Sequence, residues 1–469
     1  MEHAYKLLID GALVPGPSLL EVINPATAKV FIAVPRADQA QAFKAVAAAR
    51  LAFPQWAALT YAERAAYVLR FADVMAASAQ DLITMLTREQ GKPLGEAQFE
   101  IELSIANLRY HAAQELTAKV IRENAGEQII EQRVPHGVVV AIAPWNFPVW
   151  VLISKLGAAL MTGNTAIAKP APTTPVTALM LGELAARIFP RGVFQTLTDM
   201  NDLGAVLTRH PDVAYVSFTG STVTGKKVLS STVATLKRST LELGGNDAAI
   251  VLDDADISAV AARVYSAAFM NAGQICFATK RVYVPDSMLA AFVEALVNLA
   301  NASRLGDGLE STTTLGPVQN KAQYDKVRAF IDEAREHGTV ISGQQTVPVQ
   351  GYFIAPTIVT GLADDARLVR EEQFGPVLPV LGYSNVEDMI RRVNDSDYGL
   401  GASVWTSNTQ RGIAVASRID SGTVWVNGHL HLPFDIPFGG AKQSGIGQQG
   451  GIEGMKDFTQ VRVVNVALG

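Results

Sequence analysis

Short runs of β-branched residues alternate with segments of helical periodicity from Val138 onward. This alternation is typical of strand-helix-strand crossovers, which join parallel strands because each crossover brings the chain back to the edge it left. We therefore expect a mainly parallel, doubly wound α/β sheet with space for a nucleotide at the carboxyl edge of its strands. In chain order the predicted segments are a strand at Val138 to Ala143, a helix at Val149 to Met161, a strand at Thr165 to Lys169, a helix at Pro175 to Phe189 and a strand at Val213 to Phe218.

A second series of strands and helices begins near Ala248, so the sequence predicts two α/β lobes with a boundary close to Thr240. A block from Ala37 to Leu108 precedes both lobes and has apolar residues at helical spacing, which predicts helices. The second series consists of a strand at Ala248 to Leu252, a helix at Ile257 to Asn271, a strand at Arg281 to Val284 and a helix at Ser287 to Ala302.

Two strand-like segments lie outside this alternation. Lys119 to Val134 alternates polar and apolar residues around a turn at Asn124 to Gly126, which is a hairpin pattern. Val461 to Leu468 also has the composition of a strand. Neither segment has an obvious partner in its own lobe, so we expect both at the subunit interface of a homodimer or homotetramer, where an added strand satisfies the backbone groups.

The composition places the chain among folded globular proteins and excludes several classes of partner. Its 469 residues are 49% hydrophobic and 18% charged, which suits two or three packed domains. The 39 Lys and Arg residues against 44 Asp and Glu give a net charge of −5, so nucleic acid is not an expected partner. The most apolar stretch, Gly137 to Ile153, contains two prolines and an asparagine, so we expect no membrane-spanning helix.

Cysteine usage and the N-terminal residues both indicate a reducing compartment. Cys276 is the single cysteine, which excludes an intrachain disulfide and a zinc site of two or more cysteines within one subunit. Residues 1–20 lack the basic start and the apolar centre of a signal peptide. We therefore expect a cytoplasmic location.

Cys276 and Glu242 are the first two candidates for catalytic residues. Cys276 follows Asn271 to Ile275 in a bend after an apolar helix, where it is either a small buried hydrophobic residue or a nucleophile at a turn. Glu242 lies between two leucines in the segment Thr240 to Asn246, which also contains two adjacent glycines. A carboxylate in that setting is either a paired structural anchor or a base with a raised pKa.

Two further motifs contain groups that suit anions. Phe218 to Thr222 ends a strand and begins a helix whose next turn contains Gly225, so its free amides suit a pyrophosphate, although a plain helix cap has the same pattern. In Pro144 to Pro148, the amide of Asn146 is fixed between two prolines. That amide is either a rigid donor to an oxyanion or the cap of the next helix.

Together these motifs resemble the aldehyde dehydrogenase superfamily, in the branch that oxidises non-phosphorylated aldehydes to acids with a nicotinamide dinucleotide. The resemblance extends from Asn24–Thr27 to Pro437–Gly445, nearly the whole chain, with the motifs in the family's order. It implies two doubly wound α/β lobes, one of them Rossmann-like, and a small β arm for oligomerisation. The implied domains are a dinucleotide-binding domain of residues 1–118 and 135–240, a catalytic domain of residues 241–431, and the oligomerisation arm and C-terminal segment of residues 119–134 and 432–469.

The resemblance also implies a set of catalytic residues. Cys276 corresponds to the nucleophile, Glu242 to the general base, and Asn146 to the oxyanion donor, which acts with the backbone amide of Cys276. Lys155 lies where some members have a lysine in a proton path. Such a site forms a hemithioacetal, loses hydride to the nicotinamide and hydrolyses the resulting thioester. No metal is expected, because amide donors polarise the carbonyl.

The implied cofactor is NAD, with NADP possible. Lys169 corresponds to the adenosine-ribose ligand, Ser221 to the pyrophosphate ligand and Glu372 to the nicotinamide-ribose ligand. Pro172 occupies the position where many NAD-preferring members have a glutamate, which leaves the choice between NAD and NADP open. The full set that the resemblance places at the dinucleotide is Trp145, Lys169, Gly220, Ser221, Gly225, Leu243, Glu372 and Phe374.

The implied substrate is a small-molecule aldehyde with an aliphatic or aromatic body, because the residues around it are mainly apolar. A semialdehyde is a second candidate, but no surplus cation is evident for its distal carboxylate. A coenzyme A-acylating dehydrogenase is disfavoured by the presence of Glu242, and a catalytically silent family member would have a binding or structural role instead. The predicted substrate residues are Phe147, Trp150, Val151, Ile275, Phe277 and Phe438.

Overall fold

The structure, a computed structural model, describes residues 4–468. Residues 1–3 and 469, at the ends of the predicted domains, lie outside that range. The strands are β1 (Leu7–Ile9), β2 (Ala12–Val14), β3 (Ser18–Asn24), β4 (Lys29–Arg36), β5 (Lys119–Glu123), β6 (Glu127–Pro135), β7 (Val138–Ile142), β8 (Thr165–Lys169), β9 (Phe194–Thr196), β10 (Val213–Thr219), β11 (Arg238–Glu242), β12 (Asp247–Val251), β13 (Thr279–Pro285), β14 (Thr339–Ser342), β15 (Thr357–Thr360), β16 (Val377–Tyr383), β17 (Tyr398–Gly399), β18 (Gly401–Trp405), β19 (Thr423–Val426), β20 (Ala441–Lys442), β21 (Gly445–Ile446) and β22 (Thr459–Ala467).

The helices connect these strands and cover both faces of the sheets. Among residues 4–468, none of them is both long and apolar enough to cross a lipid bilayer. The α-helices are α1 (Gln39–Ala58), α2 (Tyr61–Ala77), α3 (Ala79–Gln90), α4 (Leu94–Ala112), α5 (Pro148–Met161), α6 (Val176–Ala185), α7 (Leu203–Arg209), α8 (Thr222–Thr232), α9 (Ile257–Phe269), α10 (Leu289–Ala302), α11 (Lys321–His337), α12 (Arg367–Arg370), α13 (Val386–Asn394), α14 (Thr409–Ala416) and α15 (Gly451–Asp457), with short 3-10 turns at Val233–Thr235 and Met270–Gly273.

The first large sheet has the strand order β2-β1-β9-β8-β7-β10-β11-β21. Its strands from β9 to β11 are parallel, as the strand-helix alternation predicts. Alternate side chains of β7 enter different apolar layers, since Val139 and Ala141 pack on one face while Val138 and Val140 pack on the other. Helices therefore bury both faces, which explains why this strand is apolar at every position.

The second large sheet has the order β14-β15-β16-β13-β12-β18-β19. All its pairs except β14 with β15 are parallel. Ala249 and Val251 of β12 pack on one face, and Ala248 and Ile250 pack on the other. The two α/β lobes that the sequence predicts are thus present as two doubly wound sheets, and the chain passes from one to the other between β11 and β12.

Two predicted helices end earlier than expected, for local reasons. The helix expected to reach Phe189 ends at Ala185, and the turn that follows leads to Pro190, which disfavours helical geometry in the residue before it. The helix expected to reach Asn271 ends at Phe269, because Asn271 has a φ of 52°, in the left-handed region. The early end of α9 begins the loop that contains Cys276.

The hairpin and the C-terminal strand, expected to lack partners in their own lobes, pair with each other. β22 runs antiparallel to β6 along its full length, and β6 pairs with β5 in a three-stranded sheet of order β22-β6-β5. The prediction missed this pairing because more than three hundred residues separate the two segments. β5 remains an edge strand with exposed side chains at all five positions.

The parallel strands place several loops at one edge of the first sheet. β7, β10 and β11 end at Ile142, Thr219 and Glu242, and their carboxyl ends meet because all three run in the same direction. The loops that follow contain the asparagine motif, the start of α8 and the two glycines after Glu242. The loop between α9 and β13 supplies Cys276 from the second lobe.

Candidate active site

Asn146 lies in the turn between β7 and α5, where its side chain is 5% exposed. Its Nδ2 donates one hydrogen bond to the carbonyl of Gln274, at 2.8 Å, which leaves the second N–H of that amide free for another acceptor. The Nδ2 of Asn271 donates back to the Asn146 carbonyl at 3.0 Å. These two bonds fix the Asn146 amide against the loop that contains Cys276.

A buried ion pair supports the same turn from below. The Nζ of Lys92 lies 2.5 Å from Glu100 and donates to the Asn146 carbonyl at 2.9 Å. The other Glu100 oxygen accepts the N–H groups of Val149 and Trp150, at 2.9 and 3.1 Å, so this carboxylate caps α5. The turn is therefore held by charge-assisted hydrogen bonds within a buried environment.

The Cys276 loop has an unusual backbone course that only particular residues tolerate. Asn271 and Ala272 have φ values of 52° and 53°, and Gly273 has a φ of 72°. A Cβ on Gly273 would lie 2.5 Å from the Gly375 carbonyl oxygen, so no larger residue fits there. The Nζ of Lys280 donates to the carbonyl of Ile275, at 2.8 Å, and to that of Cys276, and so fixes the loop on either side of the sulfur.

Burial favours the protonated form of the Cys276 thiol. Burial raises its pKa to about 12, and the positive charge of Lys280 opposes that shift. The negative charges of Glu372 and Glu242 also raise it, which places both carboxylates within electrostatic range of the sulfur. Attack by this sulfur therefore needs a nearby base to accept its proton.

Glu242 is the last residue of β11, and its carboxylate is buried without a hydrogen-bond donor among the described residues. It is 4% exposed, and neither of its carboxylate oxygens accepts a hydrogen bond from any described residue. Burial raises its pKa from 4.5 to about 8, and the positive charge of Lys155 opposes this shift. Such a carboxyl group exchanges its proton near neutral pH, as a general base must.

Lys155 lies on α5, within electrostatic range of Glu242. Its side chain is buried, and its Nζ donates to the Ser217 hydroxyl at 3.0 Å. Burial lowers the pKa of Lys155 to about 7, whereas the charge of Glu242 raises it. Lys155 and Glu242 are thus two adjacent groups that both titrate close to neutrality.

One cavity of about 770 Å³ joins the Cys276 loop to the carboxyl edge of the first sheet. It brings together residues from both lobes that are far apart in the chain. Of the predicted site residues, the cavity is lined by Trp145, Asn146, Phe147, Trp150, Val151, Gly220, Ser221, Leu243, Ile275, Cys276, Phe277, Glu372 and Phe374.

The α8 end of the cavity offers a helix N-terminus to an anion. Ser221 caps α8 by accepting the N–H of Thr224 at 3.3 Å. A Cβ on Gly225 would lie 2.3 Å from a methyl group of Leu243, so glycine is required for α8 to lie this close to the end of β11. Gly225 therefore acts through packing and does not line the cavity.

The opposite wall of the cavity comes from the second lobe. A Glu372 oxygen accepts the N–H of Gly245 at 3.0 Å, and the other oxygen would lie 2.3 Å from a Cβ on Gly244. The Phe374 ring meets the Trp145 ring edge-on at 5.3 Å. Free helix amides at one end and a carboxylate with two aromatic rings at the other fit the pyrophosphate, ribose and nicotinamide of a dinucleotide.

Lys169 stands apart from this cavity. Its Nζ forms a buried ion pair with Asp199 at 2.7 Å, and both side chains are almost fully covered. The family resemblance implies that Lys169 binds the adenosine ribose, and the structure shows the Asp199 carboxylate beside it. No sequence signal identified Asp199, because the residue follows a short strand without any motif.

The predicted substrate residues lie on the α5 side of the sulfur. Phe147, Ile275 and Phe277 belong to one apolar cluster, and Trp150, Val151 and Phe438 pack against it. Phe438 comes from the C-terminal segment and meets the ring of Phe277 at 5.3 Å. Apolar side chains therefore pack around Cys276, which favours substrates with apolar groups next to the reacting carbonyl.

The family model "Aldehyde dehydrogenase family" matches residues 14–464. The chain is 37% identical to "Putative aldehyde dehydrogenase DhaS" of Bacillus subtilis (strain 168), over 100% of this chain and 97% of that protein. It is 36% identical to the mitochondrial aldehyde dehydrogenase of Leishmania tarentolae, over 98% and 95%. The solved NAD+ complex of an aldehyde dehydrogenase from Bacillus cereus superposes with a TM-score of 0.97 at 37% identity, over 100% of this chain and 97% of that one.

Proposed function

Because the chain belongs to the aldehyde dehydrogenase family, we propose that its oxidation of aldehydes to carboxylic acids proceeds through a thioester on Cys276. The family and the NAD+ complex of a close structural relative establish the general reaction and the nicotinamide cofactor. The observation that supports the proposed mechanism is that Cys276 and Asn146 line one cavity, with an unpartnered Glu242 within electrostatic range of the sulfur.

In the first step the Cys276 sulfur attacks the carbonyl carbon while its proton passes to the Glu242 carboxylate. The C=O π electrons move to the oxygen, where negative charge develops. The free N–H of the Asn146 amide and the backbone N–H of Cys276 stabilise that charge. The Lys92–Glu100 pair keeps Asn146 in place, so its donor needs no reorganisation when the charge forms.

In the second step the tetrahedral carbon loses its hydrogen with the electron pair, and the C–O bond regains its double-bond character. When bound, the dinucleotide supplies the hydride acceptor for this step. The carbon remains attached to Cys276 as a thioester. Glu372 and Phe374 line the cavity opposite α8, where they would hold the nicotinamide end of the bound cofactor.

In the third step Glu242, with its proton released to solvent, takes a proton from water. The water oxygen attacks the thioester carbon, and the tetrahedral adduct collapses to the acid by expelling the Cys276 sulfur, which takes up a proton. Lys155 lies within electrostatic range of Glu242 and donates to Ser217, so we propose it as a route for the Glu242 proton.

We propose that Asp199 favours NAD over NADP. Pro172 cannot repel a 2′-phosphate, but the Asp199 carboxylate lies against Lys169 and cancels its positive charge. A 2′-phosphate near Lys169 would therefore meet no free cation. Asp199→Asn should raise kcat/KM with NADP relative to NAD by about tenfold, because the Lys169 charge is no longer neutralised while the shape is kept. An unchanged ratio would contradict this role.

The substrate is proposed to be an aldehyde with an uncharged body. A semialdehyde would need a cation for its carboxylate, and the guanidinium of Arg281 on β13 donates instead to the carbonyls of Asn246 and Val393. Its side chain is 4% exposed, so it is a structural residue of the second sheet.

A homodimer or homotetramer and a cytoplasmic location complete the proposal. The exposed edge strand β5 supports assembly, because its free backbone groups suit pairing with another subunit. Sedimentation that shows only a 50.0 kDa species at micromolar concentration would contradict assembly. The location is supported by the absence of any possible intrachain disulfide in a chain with one cysteine.

The direct test of the proposed nucleophile is Cys276→Ala, assayed with a panel of aldehydes and NAD. We expect turnover to fall by about 10⁴-fold or more, because no other thiol is present. Dinucleotide binding, followed by fluorescence quenching, should be retained, since the substitution leaves the α8 end of the cavity intact. Undiminished dinucleotide reduction by the variant would refute the role of Cys276.

A further inference from the structure

A second cavity, of about 630 Å³, adjoins the Cys276 cavity. Trp150 and Val151 of α5 line both cavities, so the two spaces meet at these side chains. Phe438, whose ring contacts Phe277 beside the sulfur, also lines the second cavity. We call this second space the distal cavity.

The distal cavity contains polar atoms that the protein leaves without partners. The side chain of Asn107 on α4 is 5% exposed, and its Oδ1 accepts no hydrogen bond from residues 4–468. The indole Nε1 of Trp150 and the amide Nε2 of Gln449 are likewise buried and lack an acceptor in the described chain. All three residues line the distal cavity although they come from α4, α5 and the C-terminal segment. Buried polar atoms are usually paired, so three around one space suit a ligand with hydrogen-bonding groups.

His111, one turn after Asn107, adds a neutral acceptor. Its Nδ1 donates to the Asn107 carbonyl at 3.0 Å, which leaves the Nε2 lone pair available toward the cavity that His111 lines. Burial lowers the pKa of His111 to about 4, so the ring is uncharged at neutral pH. The distal cavity thus offers donors from Trp150 and Gln449 and acceptors from Asn107 and His111.

Charge is nearly absent from this wall. Among the residues that line the distal cavity, only His111 and Lys155 are ionisable, and Lys155 is held by Ser217 and faces Glu242. A carboxylate or phosphate would therefore meet no free cation there. A hydroxyl group both donates and accepts hydrogen bonds, so it matches the mixed set of neutral partners.

We propose that Asn107, Trp150 and Gln449 bind an uncharged hydroxyl group at the end of the aldehyde remote from its carbonyl. This inference rests on the proposed function and narrows its substrate class to hydroxylated aldehydes with an apolar body. Loss of one such hydrogen bond leaves a buried polar group unpaired, and sites of this kind discriminate strongly against analogues that lack the hydroxyl.

The test compares matched aldehydes that differ at one ring position. Para-hydroxy, para-methyl and para-carboxy aromatic aldehydes are assayed with NAD, each with no, one or two methylene groups between ring and carbonyl, so that one length reaches the distal wall. We expect kcat/KM at the best length to favour hydroxyl over methyl by about tenfold or more. In Asn107→Leu, which keeps the volume and removes the polar atoms, this ratio should fall to near one.

A matched control comes from the same cavity. Ser154 lines it, but its hydroxyl already donates to the Val151 carbonyl at 3.0 Å, so Ser154→Ala should preserve the hydroxyl-to-methyl ratio. Trp150→Phe removes the indole N–H and keeps an aromatic ring, so it provides a second test if Asn107→Leu does not fold. It should also lower the ratio.

The outcomes separate the inference from the proposed function. Equal kcat/KM for hydroxyl and methyl aldehydes at every length, a preference for the carboxylate, or a ratio unchanged in both variants would overturn the inference. The proposed function stands in each of these cases if the methyl aldehydes are oxidised in a Cys276-dependent manner. No oxidation of any aldehyde by the folded protein would overturn both.

Discussion

Glu100 and Glu242 are both buried glutamates of this site, and their surroundings are opposite. Glu100 is fully buried, with Lys92 at 2.5 Å on one oxygen and two backbone N–H donors on the other. Glu242 is 4% exposed and has no hydrogen-bond donor on either oxygen among the described residues. A carboxylate with both oxygens engaged holds structure in place, whereas one without partners is free to take and release a proton.

The difference predicts separate tasks for the two glutamates. The Lys92–Glu100 pair holds the Asn146 turn, whereas we expect Glu242 to transfer protons during the reaction. Removing a paired buried charge destabilises a fold because its partner is left alone. Removing an unpaired one leaves no such orphan. Substitutions in the two regions should therefore separate stability from activity.

The largest effect should follow the same chemical change made at each glutamate. Glu242→Gln removes the general base, so steady-state turnover should fall by about 10²- to 10⁴-fold, whereas the midpoint of thermal unfolding should not decrease. Glu100→Gln should instead lower the unfolding midpoint, because Lys92 loses its counter-charge. The comparison would be wrong if Glu242→Gln were the less stable of the two variants.

A smaller effect should come from the cation of the structural pair. Lys92→Met leaves the Glu100 charge buried without its partner, so the free energy of unfolding should fall by about 3 to 5 kcal/mol in denaturant titrations. The double variant Lys92→Met with Glu100→Leu removes both charges and should recover much of that loss. If the double variant were less stable than Lys92→Met, the pair would not be the source of the effect.

The smallest effect concerns pH and tests Glu242 without substitution. We expect its carboxylate to be the active form, so turnover should rise with pH and level off above about 8, with about tenfold less of the active form at pH 7.

The same pKa shift makes stability depend on pH. In the unfolded chain Glu242 has a pKa near 4.5, so between pH 4.5 and 8 the folded protein keeps a proton that the unfolded chain has lost. Stability from this group is therefore complete below 4.5 and declines as pH rises toward 8. The charges of Lys155 and Asp457 modulate the same profile.

In Glu242→Gln both of these trends should weaken. The turnover that remains should depend less on pH between 7 and 9, and the decline in stability between about pH 4.5 and 8 should be smaller. An unchanged pH profile in this variant would assign the titration to another group.

Periodicity and local motifs predicted the parts of the fold and site that depend on neighbouring residues. The alternation after Val138 predicted both parallel sheets, because apolar runs and helix spacing are local properties. Asn146 and Cys276 were predicted from short motifs, and the structure places both on one cavity. Their chemical roles remain predictions until the variants are measured.

The features that the sequence did not predict depend on contacts between segments that are far apart in the chain. Lys92 lies in the loop before α4 and Glu100 lies within α4, no motif links the two, and only tertiary packing shows that they hold the Asn146 turn. Asp199 and the polar set of the distal cavity come from separate elements without any shared motif. Local patterns also did not predict the pairing of β22 with β6, because strand pairing depends on the tertiary fold.

The central claim is that Glu242 releases an acyl group held on Cys276, and mass spectrometry of the trapped protein tests it most directly. Glu242→Gln is mixed with NAD and an aldehyde, quenched in acid and digested. We predict a peptide containing Cys276 that is heavier by the mass of the aldehyde less two hydrogens, formed together with one equivalent of reduced dinucleotide. Reduced dinucleotide at one equivalent or more with an unmodified Cys276 would contradict the account.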